Sequence, residues 1–357
     1  MQSLGSLQAL AILMVVLGHY WEHDSVFMNS VGVSFCFVYS GFFTALRHEF
    51  GPGYGLRQHV AFLGKKLARL YPLHLLAIVL GIAGAFLSWG HGGVSPLAML
   101  AHLTLTSSWI PDPSCYFGAN PVAWFICDLF FLQLVSPLVI RWLRKTCTRH
   151  QLMLIALLLV LEFAAGYAPD IGTHSRLFGR YTHYMLYQFP PMRLLDFATG
   201  VVIYNASQSV RWRGIRQTLS ARGSALIEAT AVMLSLLLYC AGKWWLQPHC
   251  YRAFCASAPG IIVLLSAFVM TCGKSGLLSR LLEVKPLVAL SAIGAEVYLL
   301  QFGIQYCMMP VYRHFNLMAY PVAYLAIRVS VLLAAAWLTH HYFTAPIYRR
   351  LTASRLR

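Results

Sequence analysis

One histidine, His19, lies deep in the apolar run LGSLQALAILMVVLGHYWEH, which begins at Leu4. An ionisable group inside a bilayer is costly and usually lines a cavity or a pathway. Imidazole exchanges protons near neutral pH, which makes His19 a candidate for proton-transfer chemistry. The alternative is a structural histidine whose hydrogen bonds are satisfied within the protein.

Other polar residues in apolar segments are few. Asp128 and Glu296 are isolated carboxylates, and Gln301 follows Glu296 in the same run. Arg193 and Asp196 are three residues apart, so they meet on one helix face. We favour mutual neutralisation of this pair over a functional role.

A pair of cations precedes the third apolar run, in the segment KKLARLYPLH from Lys65 to His74. Lys66 and Arg69 are about one helical turn apart, and two cations on one face can hold phosphate groups. The competing interpretation is the positively charged flank that cytoplasmic ends of membrane helices commonly carry.

The elements that position these residues are membrane helices. Of the 357 residues, 59% are hydrophobic and 11% are charged, and the mean hydropathy is +0.63. Lipid requires every backbone polar group to be satisfied, so we predict an all-α polytopic membrane protein forming a single domain over residues 1–357. The expected spans are roughly 5–22, 31–47, 70–89, 121–140, 151–168, 188–206, 225–242, 256–273, 287–309 and 320–343.

The distribution of lysine and arginine predicts the topology of these ten helices. Five alternate segments hold 20 of the 27 basic residues, whereas the loop 90–120 has none. Positive loops face the cytoplasm, so both termini are expected there. The weaker segment 96–109 is then an interfacial or re-entrant helix rather than a crossing. The net charge of +16 reflects topology and anionic lipid, not nucleic-acid binding.

Six segments, in order along the chain, resemble the acyltransferase 3 family of membrane O-acyltransferases. They are LGSLQALAILMVVLGH at 4–19, GVSFCFVYSGFF at 32–43, KLARLYPL at 66–73, WFICDLFFLQLVSPL at 124–138, RLLDFATG at 193–200 and AEVYLLQ at 295–301. Any one of them is weak, but their order makes coincidence improbable.

The resemblance implies transfer of an acyl group, usually acetyl, from cytoplasmic acetyl-CoA to a hydroxyl of a cell-surface glycan. Lys66 and Arg69 are expected to bind the phosphates of CoA. His19, about 15 Å of helix rise from Gln8, is expected to be the general base or the nucleophile. Glu296 or Asp128 is a candidate to orient its imidazole.

Three positions depart from the family pattern. The arginine that the family places before the histidine is Gln8, the acidic residue one turn earlier is Gly5, and a late histidine is Gln301. Losing both members of an ion pair leaves no stranded charge. Gln8 stays a candidate donor-site residue, and Arg193 is a candidate to replace the missing arginine.

The resemblance also sets the expected partners. These are the bilayer, acyl-CoA as co-substrate, a glycan or lipid-linked oligosaccharide acceptor and glycan-assembly proteins, in a bacterial inner membrane. We expect no metal, no permanently bound cofactor and no nucleic acid. A transporter or flippase, and a non-catalytic relative acting in glycan assembly, are the alternative functions.

Overall fold

A computed structural model describes residues 1–21, 25–171, 184–246, 250–274 and 276–353. These residues form helices and no strand. The helices in chain order are α1 Gln2–Tyr20, α2 Ser25–Arg47, α3 Leu56–Trp89, α4 Pro96–Leu103, α5 Pro113–Tyr116, α6 Trp124–Lys145, α7 Thr148–Ile171, α8 Pro190–Ser207, α9 Val210–Thr218, α10 Ala221–Leu246, α11 Cys250–Thr271, α12 Leu277–Leu282, α13 Lys285–Ala292, α14 Gly294–His314, α15 Pro321–Thr339 and α16 Ala345–Ala353. Short π-helical stretches cover Tyr184–Gln188 and His340–Thr344.

Every predicted span coincides with a helix, but ten crossings are not confirmed. Within the described ranges, six helices are long and apolar enough to cross a membrane, and α13 with α14 forms a seventh if the interrupted pair is one span. Helix α8 is not one of these six helices, because its prolines and its charged pair lower its mean hydropathy. The apolar parts of α7 and α11 that are described are shorter, at Thr148–Leu161 and Ala258–Thr271.

The chain forms two compact units. The first comprises Met1–Pro52 and Val135–Ala292, and the second comprises Gly53–Leu134 and Ile293–Arg357. The single domain expected from the sequence stays a prediction, and each unit is described by itself.

The first unit is built around the crossing of α2 and α8. A Cβ atom at Gly41 would overlap the Phe197 carbonyl, and one at Gly200 would lie 2.6 Å from Phe42 N. Small residues let membrane helices approach this closely and pack by van der Waals contact. Around the crossing lies an apolar core from α1, α2, α8, α11 and α12, with members Leu4, Phe35, Val38, Phe42, Phe43, Ile203, Ile261, Leu265, Phe268, Val269 and Leu282.

Two arginines of α6 hold the end of α2 in the same unit. Arg141 donates to the carbonyls of Phe50 and Gly51 at 2.6 and 2.8 Å, and Arg144 donates to Ala45 O at 2.9 Å. Ala45 O is one of the last carbonyls of α2, which lack intrahelical partners, so Arg144 satisfies it. Arg141 holds the segment that follows the helix end. Part of the basic cluster that indicated topology therefore also stabilises a helix end.

The second unit is organised by α3 and α14, which run parallel. Gly303 packs against Leu80 and Gly81, and further along both helices Ser88 Oγ donates to Tyr306 O at 2.5 Å. Arg313 then donates to Ser88 O at 2.9 Å. Residue numbers rise together along the two helices, which fixes their register.

Candidate active site

His19 lies in the last turn of α1, in the first unit, with its side chain partly buried. The carbonyl end of a helix carries partial negative charge, which favours a cation in that turn. Gln8, also partly buried, lies three turns earlier on the same helix.

Arg193 and Asp196, also in the first unit, form the ion pair that their spacing predicts. Arg193 Nη1 lies 2.7 Å from Asp196 Oδ2 and 3.2 Å from Ser34 Oγ, and Nη2 donates to Leu186 O. The guanidinium also stacks over the rings of Phe37 and Tyr187. These contacts explain why a fully buried arginine is tolerated. The donor-site role of Arg193 stays a prediction.

In the second unit, the segment that follows α3 folds back along that helix. Tyr71 Oη donates to Leu103 O at 2.7 Å, and His74 Nε2 donates to His102 O at 3.0 Å. The end of α4 therefore lies at the level of His74 on α3. That level is fifteen residues, or about 22 Å, before Trp89, where α3 ends. Helix α4 itself, with eight residues, is too short to cross a bilayer. The re-entrant or interfacial placement of this segment stays a prediction.

The segment 96–120 is fixed by buried polar contacts. His102 Nε2 accepts from Ala119 N at 3.3 Å, and Asn120 Nδ2 donates to Leu299 O of α14 at 2.9 Å. Burial, reinforced by the neighbouring His74, lowers the pKa of His102 to about 4. His102 is therefore a neutral hydrogen-bonding group at neutral pH.

Asp128 lies beside this segment on α6 and is fully buried. The adjacent Cys127 has its Sγ 3.1 Å from Ser107 Oγ, which belongs to the segment 96–120. Asp128 is therefore a buried carboxylate next in sequence to a residue that contacts this segment.

Glu296 lies in the first turn of α14 and is 2% exposed. Its Oε1 is 2.9 Å from His340 Nδ1, and the side chain of His340 is 28% exposed. The imidazole that the structure places on this carboxylate is therefore that of His340. Gln301, one helical turn and a half further, donates instead to Tyr298 O at 2.8 Å within α14.

The two candidate phosphate-binding cations lie on the N-terminal half of α3. This helix has 34 residues and is about 51 Å long, which exceeds the hydrocarbon thickness of about 30 Å. Arg69 is exposed, and the ammonium of partly buried Lys66 lies 5.2 Å from the centroid of the Phe62 ring. Helix α3 is therefore longer than one crossing requires, and both cations lie in its N-terminal half.

A family model described as an acyltransferase domain matches residues 1–340. The chain belongs to the acyltransferase 3 family. A curated relative, acyltransferase MdmB of Streptomyces mycarofaciens, is 25% identical over 197 residues, which are 52% of this chain and 49% of the relative. The chain thus spans about half the length of the curated relative that it matches. No solved structure matches it.

The match to the acyltransferase 3 family runs through both units. The first unit carries His19, Gln8 and Arg193, and the second carries Lys66, Arg69, Asp128 and Glu296. Across the described part of the chain, no group of three or more His, Cys, Asp or Glu side chains is arranged to hold a metal ion.

Two polar groups of this acyltransferase-family chain, one partly exposed and one buried, escaped sequence reasoning. His340 follows Glu296 by 44 residues with no motif between them, and its only signal is a histidine at the end of an apolar helix. Glu228 on α10 is fully buried and accepts from Leu278 N, Ser279 N and Ser279 Oγ at 2.5 to 3.1 Å. It caps α12, so this carboxylate has a structural role.

Proposed function

We propose that this protein is an O-acyltransferase of a bacterial inner membrane. It moves an acyl group, acetyl in the first instance, from cytoplasmic acyl-CoA to a hydroxyl of an exopolysaccharide or lipid-linked glycan. The observation that carries this proposal is the family match over residues 1–340, which includes His19, Lys66 and Arg69. The name of the relative MdmB as an acyltransferase supports the same class of reaction.

The donor half of the proposal rests on α3. Lys66 and Arg69 hold the CoA phosphates by charge-assisted hydrogen bonds, which are stronger than neutral ones. The exposed guanidinium of Arg69 supplies a bidentate donor, and Lys66 supplies a compact charge. Gln8 can add a neutral hydrogen bond, but not the charge that the family's arginine provides.

The acceptor half rests on His19. As a general base, its neutral imidazole takes the proton from the acceptor hydroxyl while the oxygen attacks the thioester carbonyl. As a nucleophile, the imidazole instead receives the acyl group first and passes it to the hydroxyl. In both routes the C–S bond breaks, the products are an ester and free CoA, and the position of His19 at the carbonyl end of α1 stabilises positive charge on the ring.

Radiolabel transfer from acetyl-CoA tests the proposal. Membranes containing the protein should label glycolipid or polysaccharide, and membranes lacking it should not. Movement of glycan across the membrane that requires the protein, with no transfer of label from acetyl-CoA to the glycan, would identify a transporter or flippase. Normal glycan assembly that needs the protein but incorporates no label would identify a non-catalytic partner. Either result would overturn the acyltransferase assignment.

A further inference from the structure

The second unit contains a histidine held by a buried carboxylate. His340 Nδ1 lies 2.9 Å from Glu296 Oε1, so Nδ1 carries the shared proton and Nε2 is the nitrogen that exchanges protons with another molecule. The carboxylate is buried, whereas the imidazole is 28% exposed. A buried carboxylate orients an imidazole, as in hydrolytic triads.

The backbone at His340 is π-helical rather than α-helical. The residue begins the π-helical stretch His340–Thr344, between α15 and α16. Such stretches are rare and occur frequently at functional sites. The next residue, His341, donates from Nδ1 to Trp337 O of the preceding helix at 2.9 Å, and its side chain is exposed. Only the first histidine of the pair contacts the carboxylate.

The register of α3 and α14 places this dyad relative to the candidate phosphate site. Gly303 is level with Leu80 and Gly81, so Glu296, seven residues earlier, is level with residues 73–74 of α3. Along the helix axis, Arg69 is then about 7 Å from that level and Lys66 about 11 Å. The π-helical stretch and α16 also pack against α3.

CoA links its phosphates to its thioester by a flexible arm, so the reacting sulfur lies away from the phosphates. If Lys66 and Arg69 bind the phosphates, an arm that follows α3 inward passes the level of Glu296 and His340. The partly exposed His340 ring lies on the carboxylate at that level. An imidazole there is suited to pass a proton to a leaving thiolate.

We propose that His340 is a catalytic acid of the acyl transfer, and that Glu296 is its positioning residue. This inference rests on the proposed function. As the acceptor oxygen bonds to the carbonyl carbon, the C–S bond breaks and its electron pair stays on sulfur. The proton on His340 Nε2 moves to that sulfur and yields the free thiol, and the base that deprotonated the acceptor holds the hydroxyl proton. Cytoplasmic water then reprotonates His340.

The test compares His340→Ala with His341→Ala in the purified full-length protein in lipid nanodiscs. His340→Ala should lower kcat for acetyl transfer at least 100-fold, in the range of general acid–base catalysis, and leave the Kd for CoA unchanged. Added imidazole should restore part of the rate because the ring site is partly exposed. His341→Ala should retain the wild-type rate. Glu296→Gln should lower kcat less than His340→Ala, again with an unchanged Kd.

Two sets of results separate the inference from the function beneath it. If the wild-type protein transfers acetyl and His340→Ala matches it, the acid role is overturned and the acyltransferase proposal stands. Loss of CoA binding in His340→Ala, or loss of transfer without any imidazole rescue, also overturns the acid role, because it indicates a structural residue. If the wild-type protein itself neither binds CoA nor transfers acetyl, the proposed function fails first.

Discussion

Arg193 Nη1 lies 2.7 Å from Asp196 Oδ2, and the two side chains are only 1% and 9% exposed. The two residues are one turn apart on α8, and Arg193 Nη1 also donates to Ser34 Oγ. A charge pair this deeply buried has its partners inside the protein, so removing one member strands the other. The geometry therefore gives Arg193 a structural role that does not depend on a ligand.

Arg193→Met should destabilise the protein strongly, by roughly 3–5 kcal/mol, because it leaves the Asp196 carboxylate buried without its cation. The double variant Arg193→Met with Asp196→Leu should recover most of that loss, since apolar replacements of both members leave no charge. Thermal unfolding in detergent measures both. A single variant that unfolds like wild type but no longer binds acyl-CoA would instead establish the donor-site role of Arg193.

Gly200→Ala should lower the folded yield and the unfolding temperature. A Cβ atom at this position would overlap the Val38 carbonyl and lie 2.6 Å from Phe42 N, so α2 and α8 must move apart. Gly214 is the matched control, because it lies in a helix with no atom within 4 Å of its Cβ position. Gly214→Ala should be neutral or stabilising by about 1 kcal/mol. Equal behaviour of the two variants would contradict the close crossing.

The neutral state of His102 makes stability depend on pH. Its pKa is lowered to about 4 by burial and by His74, whereas an unfolded histidine titrates near 6.5. The unfolded chain therefore binds the proton first as pH falls. The stabilisation is fully present above about 6.5 and is lost as pH falls toward about 4, by on the order of 3 kcal/mol.

Unfolding temperatures at pH 7.5 and pH 5 measure this effect. His102→Gln keeps a side-chain hydrogen-bonding group but does not titrate, so the difference between the two pH values should shrink. Replacing His91, which is exposed, should leave the pH dependence as it is in wild type. A pH dependence that is the same in His102→Gln and wild type would contradict the burial argument.

The sequence predicted the helical membrane class, the position of nearly every helix and the Arg193–Asp196 pair, because hydropathy and three-residue spacing are local properties. It also predicted that the segment 96–109 does not cross the membrane. The partner of Glu296 could not be predicted, because His340 is 44 residues away and the contact depends on the register of α3 and α14. Ten crossings stay a prediction, because α8 carries prolines and charges that keep it from the span criteria that six described helices meet.

Replacing both Lys66 and Arg69 with alanine should raise KM for acyl-CoA and change kcat little. Each charge-assisted hydrogen bond contributes roughly 1.5–3 kcal/mol, so the combined rise should exceed tenfold. Raising the salt concentration should weaken binding in wild type more than in the variant, because salt screens exposed charges. Arg57→Ala, on the same helix but far outside the pair, is the control. An unchanged KM would leave Lys66 and Arg69 as topology markers.

His19→Ala should abolish acetyl transfer while membrane abundance stays at the wild-type level. The side chain is partly buried at the end of α1, so its removal costs little packing, but both proposed routes need its ring nitrogen. Quantification of acetylated surface glycan, normalised to protein in the membrane, measures the effect, with His91→Ala as the control. The two routes separate in a rapid quench without acceptor. A nucleophilic His19 accumulates acyl-protein and a general base does not, and retained transfer in His19→Ala contradicts both.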